Sequence, residues 1–358
     1  MRKILFITTP KIKGITGGTI CSDRNLRSLK EVFGENNVDV YNVNHYSINR
    51  FINSFLVYYN IIKGYLSGLT CSHLKCIEEI IGKIGYSDVF IDNSRYGIIA
   101  KHLKNKYPNL KIHTFFHNVE YDFMKSSYKK KRLRYKYILY KTFINEKWSC
   151  EYSNTIICLS HRDDLLLQKY YKRRADLQIP ITIIDRYTEN VPSIPNTKRK
   201  GLFLGSYFFG NVDGLIWFCN KVLPILDIEL TIIGTNMENI KKVIKLDENI
   251  HVYSNVQDLR PFFEEADFMI LPIVSGGGMK VKTAEALMYG KYILGSSESL
   301  IGYEVEKNVA CICDTPDDYV NAIISLKIEN KFNQPSRDLY LKKYSFDASL
   351  KLFYSLYK

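Results

Sequence analysis

None of the eight cysteines forms a CxxC pair. The spacings Cys71/Cys76 and Cys311/Cys313 are not those of a zinc ribbon. Cys158 and Cys219 fall in apolar patterns and read as buried thiols, which fits a reducing compartment. No uninterrupted apolar run reaches about 18 residues, the length a membrane-spanning helix needs. The basic opening Met1–Pro10 carries too short an apolar run for a secretory signal and reads as a buried first strand. Gly14, Gly17 and Gly18 follow that strand without the GxGxxG spacing, so a dinucleotide fingerprint is not supported. There is no internal repeat and no low-complexity segment.

What is present is a 358-residue chain, 46% apolar and rich in Tyr and Phe, which calls for two domains rather than one core. Its net charge of +13 is unevenly placed. Residues 1–190 hold 31 Lys and Arg against 17 Asp and Glu; residues 191–358 hold 19 against 20. Any anionic surface is therefore met by the first half.

Along the chain, apolar runs alternate with helical patterns, which predicts an α/β architecture. Strands are expected at Lys3–Thr8, Val38–Val43, Asp88–Asp92, Lys111–Phe116, Thr155–Leu159 and Ile179–Ile184. After a polar, proline-containing linker at 186–200, strands are expected again at Gly201–Ser206, Glu229–Gly234, Asn249–Tyr253, Phe268–Leu271, Lys291–Gly295 and Ala310–Cys313. Asn211-Val212-Asp213 reads as the cap of a helix stopped by Pro224. The predicted domains are 1–190 and 201–340, with a terminal helix at about 345–358 packing back on the first. His117 arrives at the C-terminal end of a strand, the ligand edge of an open α/β sheet, and reads equally as a ligand or a structural histidine.

Two stretches suit a lipid surface. Residues 46–67 form an aromatic, weakly charged amphipathic pattern that suits either a core helix or an interface. Residues 125–141 interleave lysines and arginines with tyrosines and contain no acidic residue; a solvated face and an anionic membrane are the competing readings. Nucleic acid ranks below both, because no nucleic-acid module surrounds the run.

The densest chemistry is Ser275-Gly276-Gly277-Gly278-Met279-Lys280-Val281-Lys282-Thr283-Ala284-Glu285, between a strand and a helix. Bare glycine backbone lets successive N–H groups face one anion, and the helix N-terminus adds positive potential. Lys280 and Lys282 stand beside it, and Glu285 is placed to accept hydrogen bonds from a diol. A Gly-rich turn of this kind also occurs in α/β proteins without a ligand.

In order and spacing, Phe203-Leu204-Gly205-Ser206, Asn211-Val212-Asp213, Thr231–Gly234, Asn249–Val256, Ala266–Pro272 and Gly276–Gly290 resemble the C-terminal domain of family-4-type retaining glycosyltransferases, the group 1 glycosyl transferases. Gly17-Gly18 and His117-Asn118-Val119-Glu120 also look like this family. The resemblance implies the GT-B fold, two Rossmann-like domains with parallel sheets facing a central cleft. It implies a hexosyltransferase-type, metal-independent enzyme that takes a nucleotide-sugar donor and passes the sugar, with retention, to a glycan or lipid-linked glycan acceptor in bacterial surface polysaccharide assembly. Glu285 would bind the ribose, and Lys280 and Lys282 the diphosphate. Gly277 and Gly278 would offer amides to the donor, while Gly205, Gly17 and Gly18 would let backbone approach it. Asn255, Val256 and Gln257 would lie near the base, and His117 near the donor sugar. His117, Lys282 and Glu285 are the expected catalytic residues; no cofactor or metal is expected. The protein is expected in the cytoplasm, peripheral on the inner face of the cell membrane through its basic first half, with no nucleic-acid partner.

Two departures stand out. Gly277 occupies the position, eight before Glu285, where many relatives carry a second glutamate. No arginine or lysine closely follows Gly205-Ser206. The first departure favours the alternative of a catalytically silent GT-B binding protein.

Overall fold

A computed structural model of the chain describes residues 2–9, 17–43, 57–126, 133–188, 198–326 and 331–357. Parts of four stretches singled out in the sequence, namely 11–16, 46–56, 127–132 and 189–197, lie outside the described residues. The chain divides into two compact units, Met1–Pro180 with Ser349–Lys358, and Ile181–Ala348.

The first unit is built on a sheet of six parallel strands: β1 (Ile4–Thr8), β2 (Val38–Asn42), β3 (Asp88–Ile91), β4 (Lys111–Phe116), β5 (Thr155–Cys158) and β6 (Leu177–Gln178). Their order is β2-β1-β3-β4-β5-β6. Helices cover a parallel sheet on both faces, so its central strands are apolar throughout; every residue of β1 and β3 is buried. Phe6, Phe90 and Phe115 stack across β1, β3 and β4 with centroids 5.6 and 6.3 Å apart. Burying each such ring stabilises the fold by about 1.5–3 kcal/mol. The last helix, Phe346–Tyr357, starts with the Ser345 hydroxyl accepting from the Ala348 N–H. Within the first unit, its Phe353 lies 6.3 Å from Phe90 and its Tyr357 stacks edge-on to Phe33.

The second unit repeats the plan with β7 (Arg199–Leu204), β8 (Ile228–Gly234), β9 (Ile250–Ser254), β10 (Phe268–Leu271), β11 (Tyr292–Gly295) and β12 (Ala310–Ile312). All are parallel, in the order β12-β11-β10-β7-β8-β9. In this sheet successive strands run outward from β7 to β9, then restart on the other side of β7 with β10. β7 and β10 are therefore the switch point of this sheet, the place where open α/β sheets take ligands. In the first sheet the same reversal falls between β1 and β3.

Three sequence expectations are corrected. The strand expected at Ile179–Ile184 is absent. Pro180 has no N–H to offer a ladder, so pairing ends after Leu177–Gln178 and Ile183 makes only an isolated bridge to Ser345. The division falls at Pro180–Ile181 rather than after residue 190. Ile183 explains this: it donates to the Tyr344 carbonyl, accepts from the Phe346 N–H and accepts from the Tyr340 hydroxyl, all at 2.9–3.1 Å, which ties this segment into the second unit. Finally, Asn211 does not cap its helix, which runs Phe209–Lys221. Its side chain donates instead to the Ser206 carbonyl at 2.8 Å.

Of the suspected lipid-facing stretch, residues 57–62 are helical, with Tyr58 and Tyr59 about half exposed. From the basic stretch, the helix Leu133–Tyr152 is described, and its Tyr140 is exposed. No helix among the described residues is long and apolar enough to cross a membrane.

Gly97 opens the helix Gly97–Lys106 with an ordinary helical φ of −57°, so backbone freedom is not its role. A Cβ there would overlap the Asn145 carbonyl on the crossing helix. Gly97→Ala is therefore expected to destabilise the protein by about 3 kcal/mol, at the upper end of overpacking costs. Urea denaturation measures this; a neutral change would contradict the close crossing.

Candidate functional site in the crevice of the second unit

The segment leaving β10 runs through Pro272 to Lys280 and enters the helix Val281–Met288. Its backbone packs directly on the helix Phe209–Lys221: a Cβ at Gly214 would overlap the Pro272 carbonyl, and one at Gly210 the Ser275 carbonyl. Gly278 adopts φ +62°, a region L side chains rarely enter. The far side of the loop is fastened from β11. Lys280 Nζ donates to the Gly278 carbonyl and to Glu298 Oε1, both at 2.8 Å. The Lys280 carbonyl accepts from the Tyr303 hydroxyl at 2.6 Å. The Thr283 hydroxyl donates to the Ser299 carbonyl at 2.8 Å. The helix has no side-chain cap, although the Thr283 N–H of its first turn is taken by the Lys280 carbonyl at 3.1 Å.

Lys282 and Glu285 project from the first turns of that helix. Lys282 Nζ donates to Asn211 Oδ1 at 2.6 Å and lies 4.8 Å from the centre of the Phe203 ring. A Cβ on Gly205, at the end of β7, would sit 2.7 Å from the same Nζ, so glycine leaves the space the ammonium uses. Burial is the main cause that drives the Lys282 pKa down to about 7, with the Lys280 charge adding to it and Glu285 opposing. Burial likewise pushes Glu285 up to about 7, against the pull of Arg186 and Lys282. Both side chains are packed among protein atoms yet keep a solvent-reachable face. Two largely buried groups with pKa values moved toward neutrality at a sheet's switch point make this a candidate functional site.

Gly277, partly exposed, and Gly278, buried, lie in the loop itself. Asn255, Val256 and Gln257 follow β9, further along the same edge. Asn255 takes φ +53°, donates its N–H to the Gly234 carbonyl at 3.2 Å and accepts from the Asn236 N–H at 3.3 Å. Asn255 and Gln257 are exposed. The second unit thus brings Gly205, Gly277, Gly278, Lys280, Lys282 and Glu285 to its switch point and carries 255–257 beyond it. It adds two residues with no site role in the sequence reading. Asn211 was legible only as a cap. Arg186, whose charge acts on Glu285, sits in a segment with no motif to mark it.

In the first unit, Gly17 and Gly18 are the first residues of the helix Gly17–Phe33, after β1. His117 follows β4. Its Nε2 lies 3.0 Å from the Asp92 carbonyl and 3.2 Å from Asp92 Oδ1. Asp92 also accepts from the Thr8 hydroxyl at 3.0 Å and from Asn25 Nδ2 at 2.7 Å. Burial opposes charge on His117, but the Asp92 carboxylate outweighs it and raises the pKa to about 10. This favours the imidazolium, whose Nε2–H donates to Asp92 while its buried Nδ1 has no hydrogen-bond partner. Glu146, buried in mid-helix, holds the chain just after it. It accepts from the Glu120 and Tyr121 amides at 2.8 and 3.0 Å, and from the Ser94 and Tyr171 hydroxyls at 2.8 and 2.7 Å. Burial pushes the Glu146 pKa up to about 7 against these donors.

Among the described residues no three His, Cys, Asp or Glu side chains converge as metal ligands.

Residues 198–327 match the family model described as Glycosyl transferases group 1. A 110-residue segment is 30% identical to an uncharacterized 44.6 kDa protein in the cps region of Klebsiella pneumoniae, covering 27% of this chain and 28% of that protein. The match therefore spans little more than a quarter of that relative. Sucrose-phosphate synthase from Thermosynechococcus elongatus is similar in structure, with a TM-score of 0.72 at 13% identity over 100% of this chain and 98% of that one. The Anabaena protein HepE, solved in complex with UDP-glucose, has a TM-score of 0.66 at 10% identity over 100% and 99%. At such identities the likeness establishes the fold: GT-B, two Rossmann-like domains.

A raised carboxylate pKa means the folded state binds the proton more tightly than the unfolded chain. Stability from this group is present below the unfolded value of 4.5 and is lost as pH rises through about 7. Glu285→Gln removes that penalty. It should stabilise the protein on the order of 1–3 kcal/mol at about pH 8 and have little effect below about pH 4.5. Thermal unfolding across pH checks this; a loss of stability at the higher pH would make Glu285 a structural residue.

Proposed function

We propose that this protein is a glycosyltransferase that moves a sugar from a nucleotide-sugar donor to a glycan or lipid-linked glycan acceptor during assembly of a surface polysaccharide. The observation that carries this reading is the pairing of Lys282 and Glu285 at the β7/β10 switch point, beside a glycine loop and an uncapped helix N-terminus. The group 1 match over 198–327 supports it, as does the relative in a cps region. The UDP-glucose held by a protein of the same fold supports a nucleotide-sugar donor.

In this reading the second unit holds the donor. Lys282 faces the diphosphate, and the amides of the 276–282 segment share its charge. Glu285 accepts from the ribose hydroxyls, and 255–257 flank the base. Departure of the nucleoside diphosphate leaves an oxocarbenium-like sugar, so the protein's main task is to stabilise charge developing on the leaving group. Lys282 suits that task, because an ammonium with a depressed pKa gains most from an arriving anion. Lys280 is tied to Glu298 and acts through the loop it fastens. The first unit takes the acceptor side. Retention and metal independence belong to this proposal, as does residence on the cytoplasmic membrane face, supported by the basic balance of residues 1–190. Gly277, in place of a second carboxylate, favours the rival reading of a binding protein that no longer turns over.

A nucleotide-sugar panel with release of nucleoside diphosphate as the readout separates the two. At least one donor should be turned over, and Lys282→Ala and Glu285→Ala should each lower release about 100-fold or more, as loss of a charge-stabilising group does. Tight donor binding with no release by wild type, across a broad acceptor set, would establish the binding protein instead.

A further inference from the structure

The two stretches rich in aromatic and basic residues, 46–67 and 125–141, are far apart in sequence, but their described parts lie side by side in the first unit. The Tyr137 hydroxyl, on the helix Leu133–Tyr152, donates to the Ile62 carbonyl at 3.4 Å. Two turns along the same helix, Asn145 Nδ2 donates to the Gly64 carbonyl at 3.0 Å. Gly64 takes φ +91° just past the helical residues 57–62, and Leu66 and Leu69 are buried beyond it.

What this pairing turns outward is apolar. Of residues 57–62 only Ile61 is buried; Val57, Tyr58, Tyr59 and Ile62 are 39–50% exposed. Tyr140, one turn from Tyr137, is 55% exposed. A core helix would bury these side chains, and a solvated one would carry polar residues in their place. Neighbouring exposed apolar groups of this kind mark a docking face. The charge around them has one sign. Lys63 and Lys136 are exposed. Lys63 Nζ lies 5.7 Å from the centre of the Tyr59 ring, and Lys141 Nζ 5.4 Å from that of Tyr137. No Asp or Glu occurs at 57–70 or 133–145, and Glu146, which follows, is buried.

Charge complementarity selects the occupant. A second copy of this chain in a two-fold contact would bring the same lysines to both sides. Nucleic acid would answer the lysines but gain little from Val57 and Ile62. An anionic bilayer answers both: aromatic and aliphatic side chains enter the headgroup boundary while ammonium groups stay with the phosphates. We propose that residues 57–63 and the turn 136–141 form a docking face for an anionic lipid bilayer, with Tyr59 and Tyr140 entering the interface and Lys63 and Lys136 facing the headgroups. This rests on the membrane residence proposed above, to which it gives a surface, and does not require sugar transfer.

Co-sedimentation with vesicles tests it, phosphatidylcholine alone against an equimolar mixture with phosphatidylglycerol. Wild type should bind the anionic vesicles and lose affinity as salt rises. Lys63→Gln with Lys136→Gln should weaken binding on the order of 25-fold, about fivefold for each lysine near a charged surface. Tyr59→Ser with Tyr140→Ser should weaken it about tenfold or more at unchanged charge. All four positions are exposed, so the melting temperature should hold. Removing equal charge from the second unit, by Lys241→Gln with Lys242→Gln, should leave binding unchanged. Equal weakening by the two lysine pairs would reduce the binding to net charge and overturn the face. A dimer in light scattering, or binding to duplex DNA, that the tyrosine pair abolishes would assign the face to another partner. Unchanged vesicle binding in the tyrosine pair would overturn the face alone, whereas no binding by wild type would overturn the membrane residence with it. Neither result bears on nucleoside diphosphate release, which reads the transferase separately.

Discussion

A largely buried lysine amine at the switch point between β7 and β10 sets the terms for the second unit. Lys282 Nζ donates to Asn211 Oδ1 and has an aromatic face beneath it. Several neighbouring features serve that arrangement. Gly205 omits the side chain that would fill the ammonium's place. Asn211, inside its helix, receives the lysine on Oδ1 and donates its Nδ2 to the Ser206 carbonyl. Gly210 and Gly214 bring the same helix onto the β10 loop. Burial alone would push the proton off Lys282, and Glu285 one turn away pulls it back only in part. A site held this way is destabilising when empty and gains when an anion arrives, the usual trade between stability and function.

The first unit uses charge differently. His117 is paired through Nε2 with Asp92, which is in turn held by Thr8 and Asn25 from two other elements, while its buried Nδ1 has no partner. Glu146 gathers four donors that fix the segment after His117. One unit therefore carries a close ion pair, and the other a pair of groups with pKa values moved toward neutrality.

The strands were readable because parallel sheets bury both faces and leave continuous apolar runs. Lys111–Phe116 and Phe268–Leu271 coincide with β4 and β10 to the residue. The Gly276–Glu285 segment was legible because its chemistry is local: glycines, lysines and a carboxylate within ten positions. What could not be read depends on distant partners. Glu146 looks like any helical glutamate until Ser94, 52 positions away, and Tyr171, 25 away, close on it. Asn211 and Lys282 are 71 positions apart, and the nearer signal, a helix cap, was the wrong one. Ile179–Ile184 had strand composition, but a single proline ended its ladder.

Whether Lys282 awaits a diphosphate can be measured as a proton. At about pH 8 the free amine, with its pKa near 7, is mostly neutral, and an arriving diphosphate favours the ammonium. Calorimetric titration of UDP, GDP and ADP, in two buffers of different ionisation enthalpy, counts the protons exchanged. At least one of the three should bind with uptake approaching one proton, and Lys282→Met should abolish that uptake. Binding with no proton exchange, or no binding by any of the three, would contradict the role given to Lys282.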